Sequence, residues 1–210
     1  MTTYAAAQQA SPVRAGIRLT AVAGVVYLLA WITGLSVWPT NPSVRASGPE
    51  ILDALAGHTT VALVQYIATQ GIAGAALALV VAAMPRRARI SGYAAVLVSG
   101  VQCALGVHLA GWLAAAHDPG AAHTFFALIN RLDGVKMLLL AITAALVSLP
   151  AVRNHARPIA LHRLGLALAV AITISGIGYL LLNTTLAPAA YISGVLLLIW
   201  VTGTAFIERR

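Results

Sequence analysis

Charge is what this chain has least of. Only 9% of its 210 residues are Asp, Glu, Lys or Arg, against 60% hydrophobic. A soluble domain carries about a quarter charged residues and is nearer half apolar. So few charges could not cover a water-facing surface. Lysine and cysteine occur once each, as Lys136 and Cys103. A lone cysteine excludes an internal disulfide and says nothing about redox compartment. No HExxH or CxxC is present, so the usual metal-site spacings are missing. The net charge of +8 comes without zinc-finger spacing or a basic helix. Its basic residues fall in short clusters between apolar runs, the pattern of membrane orientation rather than of nucleic-acid binding.

What the chain does have is long apolar runs. They predict an all-α fold: a polytopic membrane helix bundle with six transmembrane helices plus a short extracytoplasmic helix. The expected spans are 17–38, 60–84, 91–116, 121–149, 164–182 and 189–207, in one domain over 14–210 after a disordered tail at 1–13. Residues 1–12 lack the basic start of a signal peptide, so the first span is expected to be retained. Trp38-Pro39 reads as an interfacial aromatic followed by a helix stop. Ser47-Gly48-Pro49-Glu50 reads as a capping box opening the short helix at 49–57. Asp118-Pro119 reads as an N-cap with proline at the first helical position. A helix from Pro119 to Leu149 would be about 46 Å long at about 1.5 Å per residue. The hydrocarbon core is about 30 Å thick. The helix must tilt, protrude or bend, and Gly134 is the expected bend.

Six spans put both termini on one side. Arg14, Arg18, Arg86, Arg87, Arg89, Arg153, Arg157, Arg163, Arg209 and Arg210 fall there, and Arg45, Arg131 and Lys136 on the other. By the positive-inside rule both termini are cytoplasmic, in an inner (plasma) membrane.

Against that topology the stretch Asn130-Arg131-Leu132-Asp133-Gly134-Val135-Lys136 stands out. It puts three charges inside an apolar segment, where each costs roughly 2.5–3.5 kcal/mol at the centre of a span. Positions 130, 133 and 136 share one helical face, and Asp133 and Lys136 are spaced to pair. Gln65, Tyr66, His108, Tyr179 and Asn183 are expected in the outer part of their spans, with Gln102 near the middle. Together they predict an outward-facing polar pocket over an apolar floor. Asp133 is the candidate acid or base, with His108 second, because burial and neighbouring charge tune a carboxylate. Asn130, Arg131, Lys136, Gln65, Tyr66, Gln102, Tyr179 and Asn183 are the candidate substrate-binding residues. The alternative is an early-emerging helix whose charges sit among lipid headgroups.

Other chemistries find less support. His58, His117, Asp118 and His123 could meet Glu50 and Asp53 outside, but their spacing shares no helical face. Loop histidines are more often plain polar residues, so no metal and no cofactor is expected. Ser175-Gly176 and Ser193-Gly194 raise an intramembrane serine protease, but the last span has no histidine. Lys136 lies beside Arg131 near a helix end, which disfavours a Schiff base. The expected function is an enzyme acting by acid/base chemistry on a hydrophobic or lipid-like small molecule. The alternative is a non-catalytic binding, transport or accessory protein. Membrane lipids are the expected partners.

Ala23-Gly24-Val25-Val26-Tyr27-Leu28-Leu29 resembles the opening of a family of bacterial, often actinobacterial, membrane proteins. His162-Arg163-Leu164-Gly165 and Gly176-Ile177-Gly178-Tyr179-Leu180-Leu181 resemble that family's later half. Asn130-Arg131-Leu132-Asp133 with Lys136 is similar to another of its segments. The resemblance implies a bundle of six or seven helices and carries over no catalytic residue.

Overall fold

The computed structural model describes residues 12–37 and 42–207, with side chains from residue 19 onward. The tail expected at 1–13 (apart from residues 12 and 13), the Trp38-Pro39 exit and the terminal Glu208-Arg209-Arg210 lie outside these. Among the described residues the chain is helical, with no strand. The helices are α1 (Pro12–Val37), α2 (Gly48–Leu55), α3 (Thr59–Ala83), α4 (Arg86–Ala116), α5 (Pro119–Arg153), α6 (Ile159–Leu180) and α7 (Ala189–Ala205).

Five of them are long and apolar enough to cross a membrane: α3 to α6 and, in α1, Leu19–Val37. The apolar α7 is shorter, at 17 residues. The long helices and α7 form a closed ring in chain order, α1 against α3, α3 against α4, and so on until α7 returns to α1. Short connections between antiparallel neighbours give this arrangement. The outside of the ring is apolar: Ile90, Leu97, Val170 and Ile192 are all exposed. Such a continuous apolar exterior fits lipid rather than water.

The local signals explain several boundaries. The Glu50 carboxylate accepts from Ser47 N–H at 2.7 Å and Ser47 Oγ–H at 2.9 Å, fixing the start of α2. These two donors hold the Glu50 carboxyl below the usual carboxylate range. α2 then buries Ile51 and Leu55 against Leu109, Leu113, Ala122 and Phe126, roughly 1.5–3 kcal/mol for each side chain. Asp118 Oδ1 accepts from Ala121 N–H at 3.0 Å and caps α5.

Other boundaries differ from the sequence expectation. α4 begins at Arg86 rather than 91, because the arginines of the expected loop form its first turns. Arg89 Nε donates to Met84 C=O at 2.9 Å, closing the tight connection from α3. Arginine is a good helix former, so a charged cluster bounds the apolar run without bounding the helix. α6 likewise begins at Ile159 rather than 164. α5 runs through Pro150 to Arg153, since near a C-terminus the proline forfeits one bond only. α5 is also uninterrupted at Gly134. A Cβ there would lie 2.5 Å from Leu180 N and 2.6 Å from Gly176 O. The glycine lets α5 and α6 touch backbone to backbone.

Candidate functional site

The charged stretch of α5 ends inside the ring. Lys136 is 4% exposed, and its Nζ lies 2.5 Å from Asp133 Oδ1. It also donates to Gln70 Oε1 at 2.8 Å. Its ammonium sits 6.0 Å from the centre of the Trp31 ring, within cation–π range. On the other side Gln102 Nε2 donates to Asp133 Oδ1 and to Ile129 C=O, both at 3.1 Å. The network thus joins α3, α4 and α5, with α1 supplying the aromatic face. Burying the pair carries a desolvation cost that the mutual attraction and the two amides offset. Gln102 is fully buried, and its Oε1 has no partner.

Gln70 reaches Lys136 from a π-helical stretch, Ile67–Ile72, within α3. One extra residue in a turn shifts the register of the rest of the helix, and such turns recur at functional sites. Thr69 in the same stretch donates its hydroxyl to Gln65 C=O at 2.8 Å.

A cavity of about 520 Å³ opens beside the pair. Asp133, Lys136, Thr69 and Ser99 form its polar flank, and Leu77, Leu140, Ile172 and Leu197 close it with apolar surface. Residues 42–44 and Thr184, Ala187, Pro188 and Tyr191 bound its far end. The loops at that end are tied together, since Arg45 Nε donates to Leu182 C=O at 2.6 Å. Tyr27 and Tyr179 line the cavity. A volume of this size suits one small molecule, since ligand sites span about 300–1,000 Å³.

The residues singled out from sequence divide clearly. Asp133, Lys136 and Tyr179 line the cavity, and Gln102 holds Asp133 from behind. Tyr66 covers Gly106 rather than the cavity wall. Gln65 is buried outside the lining. Asn130 Nδ2 donates back to Phe126 C=O at 2.9 Å, and Arg131 is exposed on the outside of α5. Asn183 Oδ1 accepts from Thr185 N–H at 2.8 Å and Leu186 N–H at 3.2 Å, so it builds the turn into α7. His108 is exposed and packs on Phe125, ring centres 5.2 Å apart, outside the cavity. Gln70 and Trp31 were not among the candidate site residues. Their signal was a polar amide and a tryptophan in mid-span rather than at a span end.

Among the described residues no three of His, Cys, Asp and Glu gather around one point. His123 Nδ1 is paired with Ala46 C=O at 3.1 Å, and His58 Nδ1 with Ala56 C=O at 3.0 Å. Ser175 and Ser193 hydrogen-bond each other at 3.0 Å across α6 and α7. No protein-family profile, curated protein or solved structure matches the chain.

Proposed function

We propose that this is a six-span integral membrane protein that holds a lipid-like amphiphile in its interior cavity, with Lys136 and Asp133 as the polar anchor. The observation that carries this reading is the buried Lys136–Asp133 pair on a cavity whose other walls are largely apolar. Ionisable groups within a span are rare and mark ligand or ion pathways. α7, at 17 residues, meets the lower end of the roughly 17–25 residues a span needs. The arginine distribution supports cytoplasmic termini, with α2 and the cavity mouth outside. The segments resembling the bacterial membrane family contain Tyr27, Asp133, Lys136 and Tyr179, all of which border the cavity.

A catalytic reading is favoured by one observation: Asp133 shares the cavity with the phenol of Tyr179. In that reading Asp133 moves a proton on the bound molecule and the phenol orients it. Lipid extraction from protein purified in mild detergent tests the binding reading. An amphiphile should co-purify with the wild type and be lost from Lys136→Gln at equal folded yield; equal recovery from both sinks it. Asp133→Asn against Asp133→Ala tests catalysis. A variant that keeps the co-purified amphiphile unaltered while the wild type converts it supports chemistry at Asp133. Identical products from all three exclude it.

A further inference from the structure

The cavity reaches the surface of the ring sideways. Leu35 of α1 and Tyr191 and Val195 of α7 line it, yet are 50%, 82% and 58% exposed on the outside of the bundle. Trp31 and Gly194, on the same two helices, line it as well. At their other ends α1 and α7 are clasped. Thr202 Oγ–H donates to Gly24 C=O at 3.3 Å, and a Cβ on Gly24 would lie 2.6 Å from the Ala205 Cβ. The two helices touch at that end, and Leu35, on the cavity wall, lies some 11 residues or about 16 Å further along α1. A Cβ on Gly194 would meet nothing within 4 Å. The slot runs along the last turns of α1 and the first turns of α7, beside the loops that Arg45 ties.

The polar end has a definite demand. Among the described residues lining the cavity, Lys136 is the one cation and Asp133 the one anion, and their charges cancel. An ammonium has three donors, and two are taken by Asp133 Oδ1 and Gln70 Oε1. Asp133 Oδ1 is engaged by Lys136 and Gln102, which leaves Oδ2 as an acceptor. One donor and one acceptor side by side match a hydroxyl, which both gives and takes a hydrogen bond. A phosphate head would sit against the Asp133 carboxylate with no second cation on the wall. An amine head would be repelled by Lys136.

We infer, resting on the amphiphile-binding reading above, that the ligand is an uncharged long-chain alcohol that enters from the bilayer between α1 and α7. Its hydroxyl bridges Lys136 Nζ and Asp133 Oδ2, and its chain leaves through the slot at Gly194.

Trp31 lines the cavity, so quenching of its fluorescence reports occupancy. The full-length protein in nanodiscs is titrated with a long-chain primary alcohol brominated near its head and with the phosphate ester of the same chain. Saturable quenching by the alcohol is expected, absent in Trp31→Phe, with the ester at least about tenfold weaker. Gly194→Leu fills the slot and should weaken the alcohol by about tenfold with an unchanged unfolding temperature. Should that variant fold poorly, Val195→Trp at the slot's rim takes its place. Equal or tighter binding of the ester overturns the head assignment while leaving an amphiphile site. Unchanged affinity in the slot variants overturns the sideways entrance. Quenching by neither probe removes both this inference and the amphiphile reading.

Discussion

Lys136 and Asp133 are coupled, and their single and double replacements must behave differently. Lys136→Met leaves the Asp133 carboxylate beside an apolar side chain with only Gln102 to satisfy it. Breaking a buried pair from one side costs about 3–5 kcal/mol. Lys136→Met with Asp133→Leu removes both charges, and stability should return close to the wild type. Thermal unfolding in detergent measures this; a double variant as weak as the single one would contradict the coupling. Glu50 makes a residue-scale prediction of another kind. Its folded-state carboxyl titrates below its unfolded value because Ser47 donates two hydrogen bonds to it. The stabilisation it gives α2 is thus present above the unfolded value and lost as pH falls through the folded one. A spin label at Asp53→Cys, with Cys103→Ser, should gain mobility in acid. Glu50→Gln should be mobile already at neutral pH and insensitive to acid.

Among the elements, α5 and α6 show how much depends on a missing side chain. Gly134→Ala drives a methyl into the backbone of Gly176 and Leu180, which no rotamer change relieves. Overpacking of this kind costs about 1–3 kcal/mol. Gly100 is the control. It is exposed on α4 with open space around it, and Gly100→Ala should be neutral or stabilising by about 0.5–1 kcal/mol through helix propensity. Comparing the two unfolding temperatures checks the contrast. The π-helical stretch of α3 is a second element-scale device. Deleting Gly71 should restore regular α-helix and turn the two halves of α3 relative to each other by about 100°. Gln70 and the apolar face of α3 could not then both keep their contacts. The alcohol should bind more weakly while the helix content measured by circular dichroism is retained.

For the whole molecule the prediction is topological. A cysteine at Arg87, in the first turn of α4, and one at Asp53, on α2, lie at opposite ends of the ring in the six-span reading. With Cys103→Ser, a membrane-impermeant maleimide should label Asp53→Cys in intact cells and Arg87→Cys only after lysis. The reverse order would invert the orientation, and labelling of both in intact cells would reject it. The closed ring also gives the cavity its walls. Each neighbour along the chain supplies one, and α7 approaches α1 closely where Gly24 permits it.

Much of this was legible in the chain itself because it is local. The apolar runs determine a helical bundle, since only internally hydrogen-bonded helices satisfy the backbone in so apolar a setting. The Ser47–Glu50 box, the Asp118 cap and the spacing of Asp133 and Lys136 each involve residues within one turn. What the tertiary structure decided is rotational and long-range. Asn130 shares a face with Asp133 and Lys136, yet its amide is spent on the preceding turn. His108 lies on the outside with Phe125, whereas Gln70 and Trp31 meet Lys136 across gaps of 66 and 105 residues. No periodicity in one helix specifies which face its neighbour presents. The π-helical turn of α3 and the backbone contact at Gly134 set those faces. The charges in α5, costly in isolation, therefore become a buried pair beside a cavity.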